Sequence, residues 1–485
     1  MLVGCARIPG EKEPLFNQKY DSLCTAMRDI GTYALTRHIR RQPSEYDQIR
    51  SESIKEMAKE LKFEQALPDS KDCADIEAIA STQTSKTKVD MYSLALVYFM
   101  EEADPHSTYI PASFVETKKK RDENISNEIG IEPRYVHRAI KLTLPIEHIY
   151  LDHVYENTPA YKKLLPNDEI ESINQVDIAG QSYHELWENI QKTPDSVTVK
   201  VKRLDDPLLL HKVEFKKPAV YSRSFGNNQY RWIRLTSFNE GVSKAFKSEL
   251  THANEWGNQG IVLDMRGNPG GLIQESAEIL KLLLTKSGVM FQTNAGEKNN
   301  FKVQEYKTKG QALFTKPLIV VVDSETASAA EIVTAVLRNQ SRGLIMGDTT
   351  FGKGSVQMTD VISDTNGFGG LLITTVSMIE YPNRTTHQLY GVSPNYKLMD
   401  EHLEQALKQI KENHLEFIHH ETDYHNIIQP LYASNGISIE NNQFSLLGSK
   451  FKDIPDDLTD LCHQNDYQDC LEAQATRLLQ IMIKR

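Results

Sequence analysis

Ser328 and Lys353 are the two residues of this sequence whose surroundings best suit nucleophilic catalysis. Ser328 follows an apolar, β-branched run and a turn of small residues, and a segment with apolar residues at helical spacing comes after it. Lys353 lies between two glycines in a glycine-rich turn. A serine hydroxyl becomes a good nucleophile when a base removes its proton, and a lysine can be that base if desolvation lowers its pKa from about 10.4 towards neutrality. The pair therefore suggests a serine nucleophile with a lysine general base, although a capping serine and a solvent-facing lysine would share this spacing.

Three further groups could complete such a site. Gln357 lies four positions after Lys353 and could hydrogen-bond the lysine amine. The backbone N–H of Ala329, at the start of the predicted helix, could stabilise an oxyanion. Gly270 or Gly271, in another glycine-rich turn, could supply the second oxyanion donor.

A phosphate-binding loop is the competing interpretation of the turn from Gly347 to Gly354. Such a loop needs Ser or Thr directly after its lysine, to bind magnesium, and then a helix. This chain has Gly354 at that position, and the residues 355–359 favour a strand. The sequence therefore argues against a phosphate site.

The elements that would position these residues have an α/β pattern. A buried strand is predicted at Leu318–Val322, a helix at 329–337 and a further short strand at 344–346. The order of strand, glycine turn and helix also occurs at 261–284, which predicts a crossover α/β core.

The segment 122–204 resembles a PDZ domain over nearly its whole length. It has an alternating strand at 146–154, a proline-led helix entry at 158–160, a turn at 165–168 and a helix at 183–191. PDZ domains bind the C-terminal carboxylate of a peptide and add its strand to a sheet edge. Gly130 and Ile131 are the candidate carboxylate-binding loop; a PDZ-shaped spacer without a ligand is the alternative.

Taken together, the motifs resemble those of the C-terminal processing peptidases, also called tail-specific proteases. The matching motifs are DPHSTY at 104–109, the PDZ-like segment, LDMRGNPGG at 263–271, ETASAAEI at 325–332, TFGKGSVQ at 350–357 and GVSPN at 391–395. The resemblance implies a Ser328–Lys353 dyad assisted by Gln357, with no cofactor or metal. It implies a multidomain α+β fold, in which a crotonase/ClpP-like α/β catalytic core carries an inserted PDZ domain and has helical N- and C-terminal regions. The chain departs from the family at Ala330, where a second serine is usual.

The composition and the N-terminal sequence bear on the partners and the location of the protein. The net charge of −11 argues against nucleic acid or an anionic membrane as the main partner. Cys5 follows a small residue, as in a bacterial lipoprotein processing site, so membrane association through a lipidated Cys5 and a periplasmic location are expectations.

Four other cysteines, Cys24, Cys73, Cys462 and Cys470, are even in number and would suit two disulfides or four buried thiols. The predicted parts are a leader or linker at 1–14, a helical domain at 15–121, the PDZ domain at 122–204, the peptidase core at 205–400 and a helical C-terminal region at 401–485.

The leading functional hypothesis is an endopeptidase that recognises protein C-termini and cleaves peptide bonds through an acyl-enzyme. Its partners would be proteins or peptides with free C-termini, and an adaptor or a second copy of the chain is a further possible partner. The main alternative is a catalytically silent C-terminus-binding adaptor of the cell envelope. A crotonase-like acyl-transfer or hydratase enzyme is a weaker third interpretation.

Overall fold

The fold is taken from a computed structural model, which describes residues 22–39, 41–67, 73–83, 85–136, 141, 144–295, 303–362, 369–383, 385–397, 408–409 and 467–484. Cys5 and Cys462 lie outside these residues, as does most of the predicted C-terminal helical region.

The N-terminal part is a helical layer with one strand at its end. Its elements are α1 (Leu23–Arg37), α2 (Tyr46–Glu60), α3 (Ala74–Thr82), α4 (Lys88–Ala103), β1 (Thr108–Pro111) and α5 (Ala112–Asp122). A continuous apolar cluster holds α1 to α4 together, and it extends to Tyr109, Ile362 and Leu372. Cys24 and Cys73 form a disulfide between the start of α1 and the residue before α3. The helical prediction for this part is confirmed for these elements, with β1 as an added strand.

A small β domain follows the helical layer. Its strands are β2 (Ile125–Glu128), β3 (Ile131–Pro133), β4 (Ile149–Val154), β5 (Glu169–Ile173), β6 (Val176–Asp177), β7 (Ser196–Val201), β8 (Leu208–His211) and β9 (Val213–Lys216), and its helix α6 spans Tyr183–Gln191. The sheet order is β3-β4-β5-β7-β8, with β6 beside β5. Because β8 pairs with β7, this sheet continues beyond residue 204, where the sequence suggested a boundary.

The region predicted as the peptidase core is built on a mostly parallel sheet of order β10-β11-β12-β15-β16-β19. Its strands are β10 (Val220–Phe225), β11 (Tyr230–Leu235), β12 (Gly260–Asp264), β15 (Leu318–Val322), β16 (Leu344–Gly347) and β19 (Tyr396–Lys397). The pair β10/β11 is antiparallel and every other neighbouring pair is parallel. All residues of β12 and β15 are buried, as expected for strands covered on both faces.

Helices cover both faces of this sheet. On one face lie α7 (Val242–Glu255), α8 (Ile273–Leu283) and α9 (Ala329–Asn339), whose apolar side chains share one core with inward residues of the strands. The last helix, α10 (Tyr467–Ile483), packs Leu471, Ala475, Leu478 and Leu479 against Val262, Ile319 and Val321 on the other face. Each such buried aliphatic side chain contributes about 1.5–3 kcal/mol, so this second layer is a substantial part of the core.

A second sheet joins the core to the helical layer. It has the order β1-β18-β13-β14, with β17 also paired to β18, and its remaining strands are β13 (Gly288–Asn294), β14 (Gln304–Thr308), β17 (Ser355–Ile362) and β18 (Gly370–Glu380). The stretch after Lys353 is therefore a strand, as predicted, which removes the structural basis for a phosphate loop. The observed architecture is α+β, as the sequence indicated.

Candidate active site

Ser328 stands at the junction between a buried strand and a helix. β15 ends at Val322, a turn follows, and α9 begins at Ala329. Ser328 is half-buried and has φ 56° and ψ −118°, which are unusual for a residue with a side chain. Such a conformation costs on the order of 1–3 kcal/mol and persists only when neighbouring contacts impose it. Strain at this position aims one side chain out of a strand–helix turn, as nucleophile turns do.

The side-chain carboxylate of Glu331 links Ser328 to Lys353. It is fully buried on the first turn of α9, and its Oε2 accepts hydrogen bonds from the backbone N of Ser328 and of Lys353, both at 2.8 Å. Its Oε1 accepts from Thr350 Oγ1 at 2.6 Å and from Gly352 N at 2.7 Å. A single carboxylate therefore joins the serine turn to the lysine turn.

The charge state of Glu331 follows from these partners. Burial raises the pKa of this carboxyl above its ordinary value, although the nearby His387 and the hydrogen bonds from Thr350, Gly352 and Ser328 act to lower it. All four hydrogen-bonding partners are donors, and an ionised carboxylate accepts without donating. The geometry is thus that of the ionised form.

Lys353 is almost completely buried, with 3% of its surface exposed. Its turn is held to the segment 387–389, because Leu389 N donates to Gly352 O at 2.7 Å and Gly354 N donates to the side chain of Gln388 at 2.6 Å. Gly352 has φ +102°, and a Cβ there would lie 2.8 Å from the backbone of Leu389. The lysine turn is therefore rigidly placed, and Lys353 is not the solvent-facing residue of the alternative interpretation.

Gln357 is buried two residues into β17. Its Nε2 donates to Ser355 Oγ at 3.0 Å and to Thr375 Oγ1 at 3.2 Å, so both amide hydrogens have acceptors on the second sheet. The structure fixes this side chain firmly, by contacts with serine and threonine hydroxyls. The side-chain carbonyl is the part of Gln357 that could accept a hydrogen bond from an amine.

The glycine turn 267–271 packs directly against Ser328. A Cβ on Gly270 would lie 2.8 Å from both Ser328 Cβ and Ala329 N, and Gly270 has φ +93°. The N–H of Gly270 donates to Asn268 Oδ1 at 2.9 Å, and its carbonyl accepts from Phe238 N. Gly270 thus allows the close approach of the two turns, while its own N–H already has an acceptor.

A buried ionic cluster anchors that glycine turn to the central sheet. Asp264, the last residue of β12, accepts hydrogen bonds from Arg234 at 3.0 Å and from Arg266 at 2.7 Å, and all three residues are buried. Burial alone would raise the pKa of Asp264, but the two guanidinium groups and their hydrogen bonds hold it well below its usual range. The carboxylate therefore stays charged and fixes where the turn leaves the strand.

The small β domain reaches this region through Tyr135. The hydroxyl of Tyr135 donates to the carboxylates of Asp323 and Glu325, in the turn that precedes Ser328. Its ring lies against the guanidinium groups of Arg234 and Arg266, at 5.0 and 5.2 Å. Burial and the two carboxylates raise the pKa of Tyr135, which keeps the hydroxyl protonated as a donor.

The segment 104–109 approaches the site from the helical layer. Asp104 is completely buried and accepts from Ser107 Oγ at 2.6 Å and from His38 Nε2 at 3.3 Å. Ser107 Oγ accepts in turn from the backbone N of Thr375, whose hydroxyl contacts Gln357. This motif is therefore linked to the second sheet at Gln357, and it is more than a capped turn.

Gly130 and Ile131 lie in the small β domain, at the start of its end strand β3. Gly130 has φ +90°, and a Cβ there would meet the side chain of Thr158 at 2.0 Å. Its carbonyl accepts from Tyr155 N at 2.9 Å, and Ile131 pairs with Val154 on β4. The structure thus places this pair in a different sheet from Ser328 and Lys353.

Two negative findings concern the described residues alone. Within them, no group of three or more His, Cys, Asp or Glu side chains is arranged to hold a metal ion. Nor does that part of the chain contain a helix with the length and apolarity needed to cross a membrane.

Sequence reasoning missed four residues that position the site: Glu331, Thr350, His387 and Gln388. One local signal was available, because Ser328 and Glu331 have the spacing of a capping box, in which the carboxylate reaches back to the N-cap N–H. His387 and Gln388 carry no local signal, since their contacts to the lysine turn arise only when the chain folds back after β18.

Comparison with known proteins finds a family that matches the central part of the chain. Residues 230–398 match the model of peptidase family S41. The carboxy-terminal-processing protease of Bartonella bacilliformis is 30% identical over 302 residues, which cover 60% of this chain and 66% of that protein. The carboxy-terminal processing protease CtpA of Bacillus subtilis is 31% identical over 269 residues, or 54% of each chain. The chain thus spans a little over half to just under two thirds of the length of these relatives.

Among solved structures, a photosystem II D1 C-terminal processing protease aligns with 19% identity over 78% of this chain and 93% of that one. Its TM-score is 0.42, a likeness too low to establish a shared fold by itself. The family match includes the motifs at 263–271, 325–332 and 350–357, and the resemblance seen in the sequence is confirmed: residues 230–398 are a peptidase family S41 segment, in a chain similar to carboxy-terminal processing proteases.

Proposed function

We propose that this protein is a serine endopeptidase with a Ser328–Lys353 dyad. The observation that carries the proposal is that one oxygen of Glu331 accepts from the backbone N of both residues, which holds them side by side. Burial of Lys353 disfavours the charged ammonium, and a neutral amine is what a general base requires. The names of the relatives support the same activity.

In the proposed reaction, Lys353 Nζ takes the hydroxyl proton of Ser328 as Oγ attacks the scissile carbonyl carbon. The tetrahedral intermediate collapses to an acyl-enzyme, and the leaving amine receives the proton from Lys353. Water then attacks the ester with Lys353 again as the base, which releases the acid and restores Ser328. Gln357 would orient the lysine amine through its side-chain carbonyl, because both of its amide hydrogens are already committed.

The proposed oxyanion donors are the backbone N–H groups of Ala329 and Gly271. Ala329 is the first residue of α9, where the helix leaves N–H groups without intrahelical partners. Gly271 comes from the turn that packs on Ser328. Gly270, the other glycine suggested by the sequence, would serve by allowing this approach, since its N–H is bound to Asn268.

We further propose that the small β domain is a PDZ domain that captures the C-terminus of a substrate. β3 is the end strand of its sheet, so the edge away from β4 is the one to which a peptide strand could add. Ile131 on that strand packs on the same apolar cluster as Tyr183 and Ile190 of α6. In this proposal, Gly130 and Ile131 form the carboxylate-binding turn, and the core is of the crotonase/ClpP type.

The Cys24–Cys73 disulfide supports a proposed location outside the cytoplasm, such as the periplasm, because such bonds persist in oxidising compartments. Lipid attachment at Cys5 remains a proposal. The intact mass of the protein isolated from its native membrane fraction would test it, and a free methionine terminus would contradict it.

The dyad is tested by Ser328→Ala and Lys353→Ala, with Ser276→Ala and Lys281→Ala as controls on α8. An unfolded protein with a free C-terminus is the substrate, and a fluorophosphonate probe reports the nucleophile. We expect both dyad variants to lose cleavage and labelling, while the controls keep both. Full activity in either dyad variant would refute the dyad. Absence of labelling in the wild-type protein, with retained binding of C-terminal peptides, would favour the silent adaptor.

A further inference from the structure

The backbone on both sides of Lys353 has every polar group bound. Gly352 N and Lys353 N donate to Glu331, and Gly354 N donates to Gln388. Gly352 O accepts from Leu389 N at 2.7 Å, and Gly354 O accepts from Ile379 N at 2.8 Å. Lys353 O accepts from His387 Nε2 at 2.8 Å, which makes this histidine the partner of the base's own carbonyl.

His387 is itself fully buried and has partners on both ring nitrogens. Nδ1 lies 2.7 Å from the hydroxyl of Tyr381, and Nε2 lies 3.8 Å from Glu331 Oε2 in addition to its bond with Lys353 O. Because a carbonyl oxygen can only accept, Nε2 must carry a hydrogen. In the neutral ring Nδ1 is then an acceptor, and it receives the hydroxyl hydrogen of Tyr381.

From this arrangement we infer that His387 is a positioning residue for the general base, with its Nε2–H directed at the carbonyl of Lys353 and its ring oriented by Tyr381. The inference rests on the proposed function, in which Lys353 is the base. Tyr381 fixes the ring, the ring fixes the carbonyl of Lys353, and Glu331 fixes the adjacent N–H. Lys353 is thus clamped on both sides of its Cα, so that its side chain leaves the turn in one direction.

The contact with Glu331 adds a second function for His387. Its ring stands beside the carboxylate oxygen that accepts from both Ser328 N and Lys353 N. The buried ring therefore lies next to the oxygen that joins the two turns. Its loss would loosen the lysine turn directly and the serine turn through Glu331.

The test compares His387→Leu, which removes both ring nitrogens, with His387→Gln, whose amide N–H can replace Nε2–H. His387→Leu leaves the buried carbonyl of Lys353 without its donor, so we expect it to lower kcat on an unfolded protein substrate by about 10-fold or more, with KM changed by less than about twofold. His387→Gln should recover most of this loss. The control is His252→Leu, which removes a histidine near the C-terminal end of α7 that stacks on Trp256. It should leave both kcat and KM unchanged.

Several outcomes would overturn the inference. One is a wild-type kcat in His387→Leu, and another is an equal loss in the Leu and Gln variants, because packing alone would then explain the effect. If His387→Leu fails to fold, Tyr381→Phe decides, because it removes only the hydroxyl that orients the ring. An unchanged kcat in this variant contradicts the inference, and a severalfold loss supports it. Retained fluorophosphonate labelling in Lys353→Ala would refute the proposed dyad and this inference together. Loss of labelling in Lys353→Ala with full activity in His387→Leu would refute the inference alone.

Discussion

Glu331→Gln is the substitution that most directly tests how the site is assembled. It changes the volume very little, yet it replaces one carboxylate oxygen by an NH₂ group. Each carboxylate oxygen accepts from two donors, so either orientation of the new amide turns an N–H towards two N–H or O–H groups. With NH₂ at the Oε2 position, the hydrogen bonds from Ser328 N and Lys353 N are both lost; with NH₂ at the Oε1 position, the Thr350 hydroxyl can turn and accept, and only the bond from Gly352 N is lost.

The expected cost follows from this count. A hydrogen bond to a charged group contributes about 1.5–3 kcal/mol, so the loss of at least one costs about that much or more. The effect should be concentrated in the serine and lysine turns, because these are the segments that Glu331 joins. We expect labelling of Ser328 by a fluorophosphonate to slow by about 10-fold or more, since 1.4 kcal/mol corresponds to a factor of ten.

Hydrogen exchange followed by mass spectrometry locates the effect. Peptides that contain the amides of Ser328, Gly352 and Lys353 should lose protection in Glu331→Gln near neutral pH, while peptides from β12 should not. Glu278→Gln on α8, which removes a carboxylate from an exposed ion pair with Lys281, is the matched control. Equal protection and equal labelling rates in Glu331→Gln and Glu278→Gln would refute the assembly argued here.

Three other substitutions test separate parts of the structure. Gly270→Ala would place a methyl group 2.8 Å from Ser328 Cβ, so the rate of serine labelling should fall by about 100-fold or more. Gly257→Ala is the control, because Gly257 also has a positive φ but open space around it. This control should keep the wild-type labelling rate and lose only about 1 kcal/mol of stability. The pKa of Asp104 is held below its ordinary value of 3.8 because the hydrogen bonds and charges around it outweigh the effect of burial, so its contribution to stability is present above that pH and is lost as pH falls. Denaturant unfolding of Asp104→Asn should therefore show about 1–3 kcal/mol less stability near neutral pH and a smaller loss of stability on acidification than the wild-type protein. A loss on acidification as large as that of the wild-type protein would contradict this. Cys73→Ser removes a disulfide that spans 49 positions and should lower the free energy of unfolding of the helical layer by about 4 kcal/mol by the chain-entropy model. If the substitution leaves the unfolding midpoint of that layer unchanged, and reductant does not change the midpoint of the wild-type protein, the bond does not form.

Local sequence patterns predicted the elements that carry the proposed dyad. The strand Leu318–Val322, the helix that starts at Ala329 and the strand after Lys353 all form where apolar spacing indicated. These predictions succeed because each element is specified by its own periodicity, and because Gly354 and the following strand exclude a phosphate loop without any tertiary information. The disulfide was predicted only as a set of possible pairs, and the fold brings Cys24 and Cys73 together.

The sequence by itself thus determined which residue types the proposed site contains: a serine at a strand–helix turn, a lysine between glycines and a glutamine on the next strand. Only the tertiary structure decided what holds them. Glu331 faces the lysine turn because β15 and β16 are neighbours and return both turns to the same edge of the sheet. His387 and Tyr135 arrive from segments distant in sequence, one beyond β18 and one from the small β domain. Hydrogen bonds of this kind depend on where the chain returns in space, and no local pattern encodes that.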